Sequence, residues 1–146
     1  MQDPDTLLAA ALRDWVASLP DGTAILSRIA PAKGGGAGYE VVPSRSGAAP
    51  ICLRVAGSPE YFTLEVGRFA RFEELPLSVE GVGKMCASVA CGGFLEERWQ
   101  LGGLTLARRA SLIVGGDSTL RWGTQSPLFP VPFAHWVRHA PEPWLG

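Results

Sequence analysis

With 146 residues, 47% of them hydrophobic and 18% charged, the chain has the size and composition of one globular domain and lacks the polar bias of a disordered one. Its net charge of −1, without any Lys/Arg run, excludes a footprint built to neutralise nucleic-acid phosphates. No apolar run reaches the roughly 18 residues of a membrane-spanning helix, and Met1 to Leu19, with Asp3, Asp5 and Asp14 against Arg13, lacks the basic start and apolar stretch of a signal peptide, so the expectation is a cytoplasmic protein with neither a membrane nor a nucleic-acid partner.

Asp3 caps a predicted helix with Pro4 in its first turn. Leu7, Leu8, Ala11, Leu12, Trp15, Val16 and Leu19 follow on one face until Pro20-Asp21-Gly22 stops it. Thr23 to Ala30 and Tyr39 to Val42 are rich in β-branched and aromatic residues and read as a loose hairpin around Lys33-Gly34-Gly35-Gly36-Ala37-Gly38. Ile51, Leu53 and Val55 alternate with Cys52 and Arg54, and Phe62, Leu64 and Val66 alternate with Tyr61, Thr63 and Glu65. This predicts two half-buried antiparallel strands joined through Gly57-Ser58-Pro59-Glu60. Ser78 caps a second predicted helix with Val79, Val82, Cys86, Val89 and Ala90 at helical spacing, ended by Gly92-Gly93. Gly81 and Gly83 weaken that helix, so it needs a sheet to pack on.

Gly102-Gly103 predicts a two-residue turn between Phe94–Leu101 and Leu104–Val114. An unbroken ladder from that turn sets Trp99 against Leu106, Glu97 against Arg108 and Glu96 against Arg109, with Leu95, Trp99, Leu101, Leu106 and Leu112 supplying the packing. A last strand, Thr119 to Thr124, follows Gly115-Gly116-Asp117 and brings Leu120 opposite Leu112 and Trp122 opposite Ala110. From Ser126 to Gly146 prolines interleave with Phe129, Phe133, Trp136 and Trp144, which makes residues 126–146 a tail wrapped on the domain rather than a central strand. The whole chain, 1–146, therefore reads as a single α+β domain: a largely antiparallel sheet of about six or seven strands, two main helices packed on it, and a Pro/aromatic C-terminal tail.

The candidates for chemistry are few. Cys52, Cys86 and Cys91 are odd in number, form no C-x-x-C pair and stand among apolar residues, as reduced core cysteines do. His135 and His139 would share a face if Phe133 to His139 were helical, but no H-E-x-x-H pattern accompanies them. Lys33 precedes its glycines, the reverse of a phosphate-cradling loop, and Glu65, Glu73, Glu74 and Glu80 around Pro76 read as a solvated acidic edge. No catalytic, cofactor or metal residue is assigned. Glu96, Arg98, Arg109 and Arg121 are expected on the outer sheet face, where they form a candidate partner-binding surface or a solvated charge ladder.

The stretch from Ala87 to Trp99, a helix ending in glycines and feeding an acidic strand, resembles small bacterial immunity proteins of polymorphic toxin systems. The resemblance covers residues 50 to 125 in pattern and carries over no site residue. It implies a cytosolic toxin inhibitor that occupies a cognate toxin's active site or an adjacent surface, without chemistry of its own. Either a monomer or a homodimer is compatible with it. Two other readings stand beside it: a small secretion chaperone or adaptor, and a ligand-binding protein or enzyme with a pocket between the sheet and helix 78–92 that uses Cys86, Glu80 or the histidines.

Overall fold

The computed structural model describes residues 3–30, 38–55, 60–115, 118–124 and 131–145. The chain opens on helix α1 (Pro4–Ser18), where the Asp3 carboxylate accepts from the Thr6 N–H at 3.1 Å. Five strands follow, β1 (Ala24–Ile29), β2 (Gly38–Pro43), β3 (Ile51–Val55), β4 (Tyr61–Val66) and β5 (Ala70–Pro76), and pair antiparallel in sequence order. Helix α2 (Val79–Ala90) leads into β6 (Phe94–Leu101), β7 (Leu104–Ile113), β8 (Thr119–Gly123) and β9 (His135–His139). These form a second antiparallel sheet, ordered β8-β7-β6-β9. The fold is α+β, with two sheets of five and four strands where one sheet of about six or seven was expected.

In α2, Ser78 accepts from the Gly81 N–H at 2.9 Å, and a Cβ at Gly81 would lie 2.8 Å from the Ser78 hydroxyl oxygen. The glycine that weakens the helix thus leaves room for its cap. Leu8, Ala9, Ala11 and Leu12 are the buried face of α1, which packs on α2 and the first sheet. One buried cluster joins them to Val41, Ile51, Leu53, Phe62, Leu64 and Phe72 of that sheet, to Val82, Cys86 and Val89 of α2, and to Phe94, Ala110 and Leu112 of the second. Of the three cysteines only Cys86 is a core residue; Cys52 is half-buried and Cys91 exposed.

Two strands lie where the sequence pattern does not predict them. In β5 the ladder shifts between Phe62 and Leu64, and Glu74 takes a positive φ of 55°. This extra residue lets Phe72 and Leu75, three apart, both point inward. Its glutamates are solvated: Glu73 pairs with Arg71 at 2.9 Å, and Glu80 on α2 pairs with Lys84 at 2.9 Å. Strand β9 falls in the segment read as tail, and it lies at a sheet edge, against β6. Extended backbone advances about 3.3 Å per residue, so His135 and His139 stand about 13 Å apart along β9 rather than as a helical pair.

The β6–β7 register is corrected as well. Leu101 faces Leu104 and Gln100 faces Thr105, as a two-residue turn requires, but Trp99 then faces Ala107. Leu106 is the bulged residue, and every pair beyond it moves by one: Glu97 faces Arg109, and Glu96 faces Ala110. The inward side chains of β6 are therefore Phe94 and Glu96 rather than Leu95 and Trp99. The β7–β8 pairing holds as expected, with Leu112 opposite Leu120 and Ala110 opposite Trp122.

The end of the tail closes the core. Trp144, 3% exposed, donates its indole N–H to the Ala49 carbonyl at 3.1 Å and packs on Trp15 with ring centroids 5.3 Å apart. Its backbone N–H reaches the Ala90 carbonyl at the end of α2, and Arg45 donates to the Pro143 carbonyl. Replacing so deeply buried a ring removes packing and strands a carbonyl, so Trp144→Ala should lower stability by about 3 to 5 kcal/mol in urea unfolding. Trp99→Ala, on the open side of its sheet, should lose little beyond its ring pair, roughly 0.5 to 1.5 kcal/mol.

Candidate interaction site on the four-stranded sheet

Because β6 lies between β7 and β9, its alternating side chains define two opposite faces of the second sheet. The four charged residues expected on one surface divide between them. Glu96 and Arg98 share the inner face with Phe94, while Arg109 and Arg121 share the outer face with Glu97 and Trp99.

The outer face is built in rows across the strands. One row sets Arg109 of β7, Glu97 of β6 and Arg138 of β9 side by side. Arg109 donates two N–H groups to the Glu97 carboxylate at 3.0 and 3.3 Å, a bidentate pair, and Arg138 approaches it at 3.7 Å. The next row sets Trp99 opposite Trp136, stacked with centroids 6.2 Å apart and planes 23° from parallel. The Arg109 guanidinium reaches across β6 to lie 3.8 Å from the Trp136 ring centroid, so one arginine ties the two rows together. Arg121 stands exposed on β8 beside a recess of about 270 Å³ that Glu97, Arg109 and Ser111 also line. Three cations against one carboxylate leave this face electropositive.

Pairing with arginine governs the Glu97 carboxyl. The hydrogen bond from Arg109, reinforced by the charges of Arg109 and Arg138, holds it below the ordinary glutamate range against the opposing effect of burial.

On the inner face Glu96 is 7% exposed, and a single carboxylate oxygen accepts from both Arg98 (3.3 Å) and Arg108 (3.0 Å). Those two arginines are cross-strand partners, and the shared carboxylate offsets their repulsion. Sequence reasoning missed Arg108 and Trp136 as site residues. The bulge hides the first, and the strand within the Pro-rich tail hides the second.

A groove of about 800 Å³ does open between the C-terminal end of α2 and the end of β7, lined by Lys84, Ser88, Cys91 and Ile113 among others. Cys86, Glu80 and the histidines are not part of its lining. Burial pushes the Cys86 thiol up to about 12, which suppresses its thiolate at neutral pH. Among the described residues no group of three or more His, Cys, Asp or Glu side chains is arranged to hold a metal ion. The glycine-rich stretch from Lys33 to Ala37 lies outside the described residues. No helix among them is long and apolar enough to cross a membrane. Comparison with protein-family models, curated proteins and solved structures returned no match.

Two solution measurements follow from these environments. Glu97 has a folded-state pKa below its unfolded value, so its pairing stabilises the fold above the carboxylate range and is lost as pH falls through the folded pKa. A carbon-detected NMR titration should find Glu97 below the ordinary glutamate value, and Arg109→Gln should return it upward. With a thiol-reactive chromophore at pH 8, exposed Cys91 should react first and half-buried Cys52 slowly, while Cys86 should react only after denaturation. Fast labelling of Cys86 would contradict its burial.

Proposed function

We propose that the protein is a non-catalytic protein-binding module, a cytosolic immunity protein that binds and inhibits a cognate toxin through the outer face of its four-stranded sheet. The observation that supports this reading is the Trp99–Trp136 stack with Arg109 laid over it and tied down by Glu97. Trp and Arg contribute most to binding energy when a partner covers them, and here they stand on paired strands, already ordered. The surplus of Arg109, Arg121 and Arg138 over Glu97 calls for an acidic surface on the toxin, and such complementarity speeds encounter and fixes orientation. Inhibition in this reading is steric. The domain needs no reacting group, only a rigid face that covers the toxin's catalytic mouth or its rim.

The test is a tagged pull-down from the native organism with mass spectrometry, followed by co-expression of the main partner with and without this protein. A stoichiometric partner that is toxic alone and neutralised by co-expression is the expected result. Trp136→Ala and Arg109→Glu should each weaken the complex by about tenfold or more while the domain still unfolds cooperatively. Recovery of no stoichiometric partner, or of one whose binding survives both changes, would overturn the proposal.

A further inference from the structure

The opposite face of the same sheet carries a second feature, which the proposed partner surface does not use. A cavity of about 430 Å³ lies between the inner face of β6 and β7 and two turns of the first sheet, Gly47 to Ala49 and Gly67 to Phe69. Its volume falls in the range of small-molecule sites, roughly 300 to 1,000 Å³. The lining is cationic. Arg68, Arg98 and Arg108 face one carboxylate, Glu96, with His139 and Pro141 at the β9 side.

Donors outnumber acceptors here. A guanidinium has five N–H groups, and Arg98 and Arg108 each give one to the same oxygen of Glu96. Arg68 makes no ion pair among the described residues; its contact is with the Phe69 ring, 5.5 Å from the centroid. Phe69 is 40% exposed and holds the Arg108 guanidinium 3.7 Å from its own centroid. That stacking fixes the plane of Arg108, and the ion pair with Glu96 fixes its reach. An oxyanion arriving between the arginines would find donors already oriented, and a planar or apolar body attached to it could lie along Phe69 and Pro141.

We propose that this cavity is a binding site for a small organic anion, a carboxylate or phosphate monoester whose oxygens take the unused donors of Arg68, Arg98 and Arg108. Glu96 serves as the internal counter-ion that positions two of these arginines and competes with the ligand for them. The site is independent of the outer face, so Trp136→Ala should leave it unchanged.

The experiment is a two-dimensional NMR titration of the full chain with inorganic phosphate, phenyl phosphate and benzoate at ionic strength held constant with chloride. Saturable shifts should gather at Gly67, Arg68, Phe69, Arg98, Arg108 and His139, and phenyl phosphate should bind more tightly than inorganic phosphate. Arg68→Gln, at an exposed position, should melt like the parent and weaken binding about tenfold, the worth of one charge-assisted contact. Glu96→Gln should tighten it. If that variant fails to fold, Arg68→Gln and the phenyl phosphate comparison still decide. Shifts that do not saturate, shifts spread over Arg13, Arg45 and Arg71, or an unchanged affinity in Arg68→Gln would overturn the proposal.

Discussion

Leu106 has no partner across the β6–β7 ladder, and that extra residue turns β6 over relative to its neighbour. A slip of one residue moves a strand's side chains to the opposite face. Here it sends Phe94 and Glu96 into the interior and brings Glu97 and Trp99 out. Strand β9 then pairs with β6 in the register that sets Trp136 against Trp99 and Arg138 against Glu97. The electropositive aromatic face and the arginine-lined cavity are thus two sides of one local irregularity.

The inward turn of β6 carries a cost, because Glu96 must leave water. Burying an ionised carboxylate costs several kcal/mol unless geometry and hydrogen bonds compensate it. Compensation comes from two guanidiniums on one oxygen, and Phe69 shields Arg108 on its ring face. Such triads contribute little net stability compared with packed apolar residues of the same volume. What this one does is fix the positions of charges: Arg98 and Arg108 cannot drift apart while both hold Glu96, and β6 cannot slide against β7 without breaking the Arg108–Glu96 contact.

Where the chain follows a single period, sequence and structure agree. The 3.6-residue spacing of Leu8, Ala11, Leu12 and Trp15 marked α1, with Asp3 and Pro4 at its start, and strict alternation marked β3 and most of β4. Leu112–Leu120 and Ala110–Trp122 were legible because no irregularity lies between them and their loop. Bulges hid the rest. Phe72-Glu73-Glu74-Leu75 has no period of two unless Glu74 is taken out of the count, and nothing in its composition announces a left-handed glutamate. The double-glycine turn is plain in the sequence, but the charges on β6 and β7 satisfy either register, since both Arg108 and Arg109 can meet a glutamate. Glu96, Arg98, Arg109 and Arg121 were thus identified as residues of interest but assigned to one face when they occupy two. Prolines on both sides of His135 to His139 argued against a strand, although an edge position tolerates them outside the paired stretch.

Trp144 bonds to Ala49 across 95 positions of sequence, and Arg45 to Pro143 across 98. Contacts of such span form slowly, because a long segment must be drawn together before the bond repays its lost freedom. During synthesis the helices and the first sheet can emerge and begin to pair, while the hollow that receives Trp144 stays open. Docking of Trp144 is therefore a late step of core closure, and until it occurs the nascent chain exposes the apolar surface beside Trp15 that a chaperone would recognise.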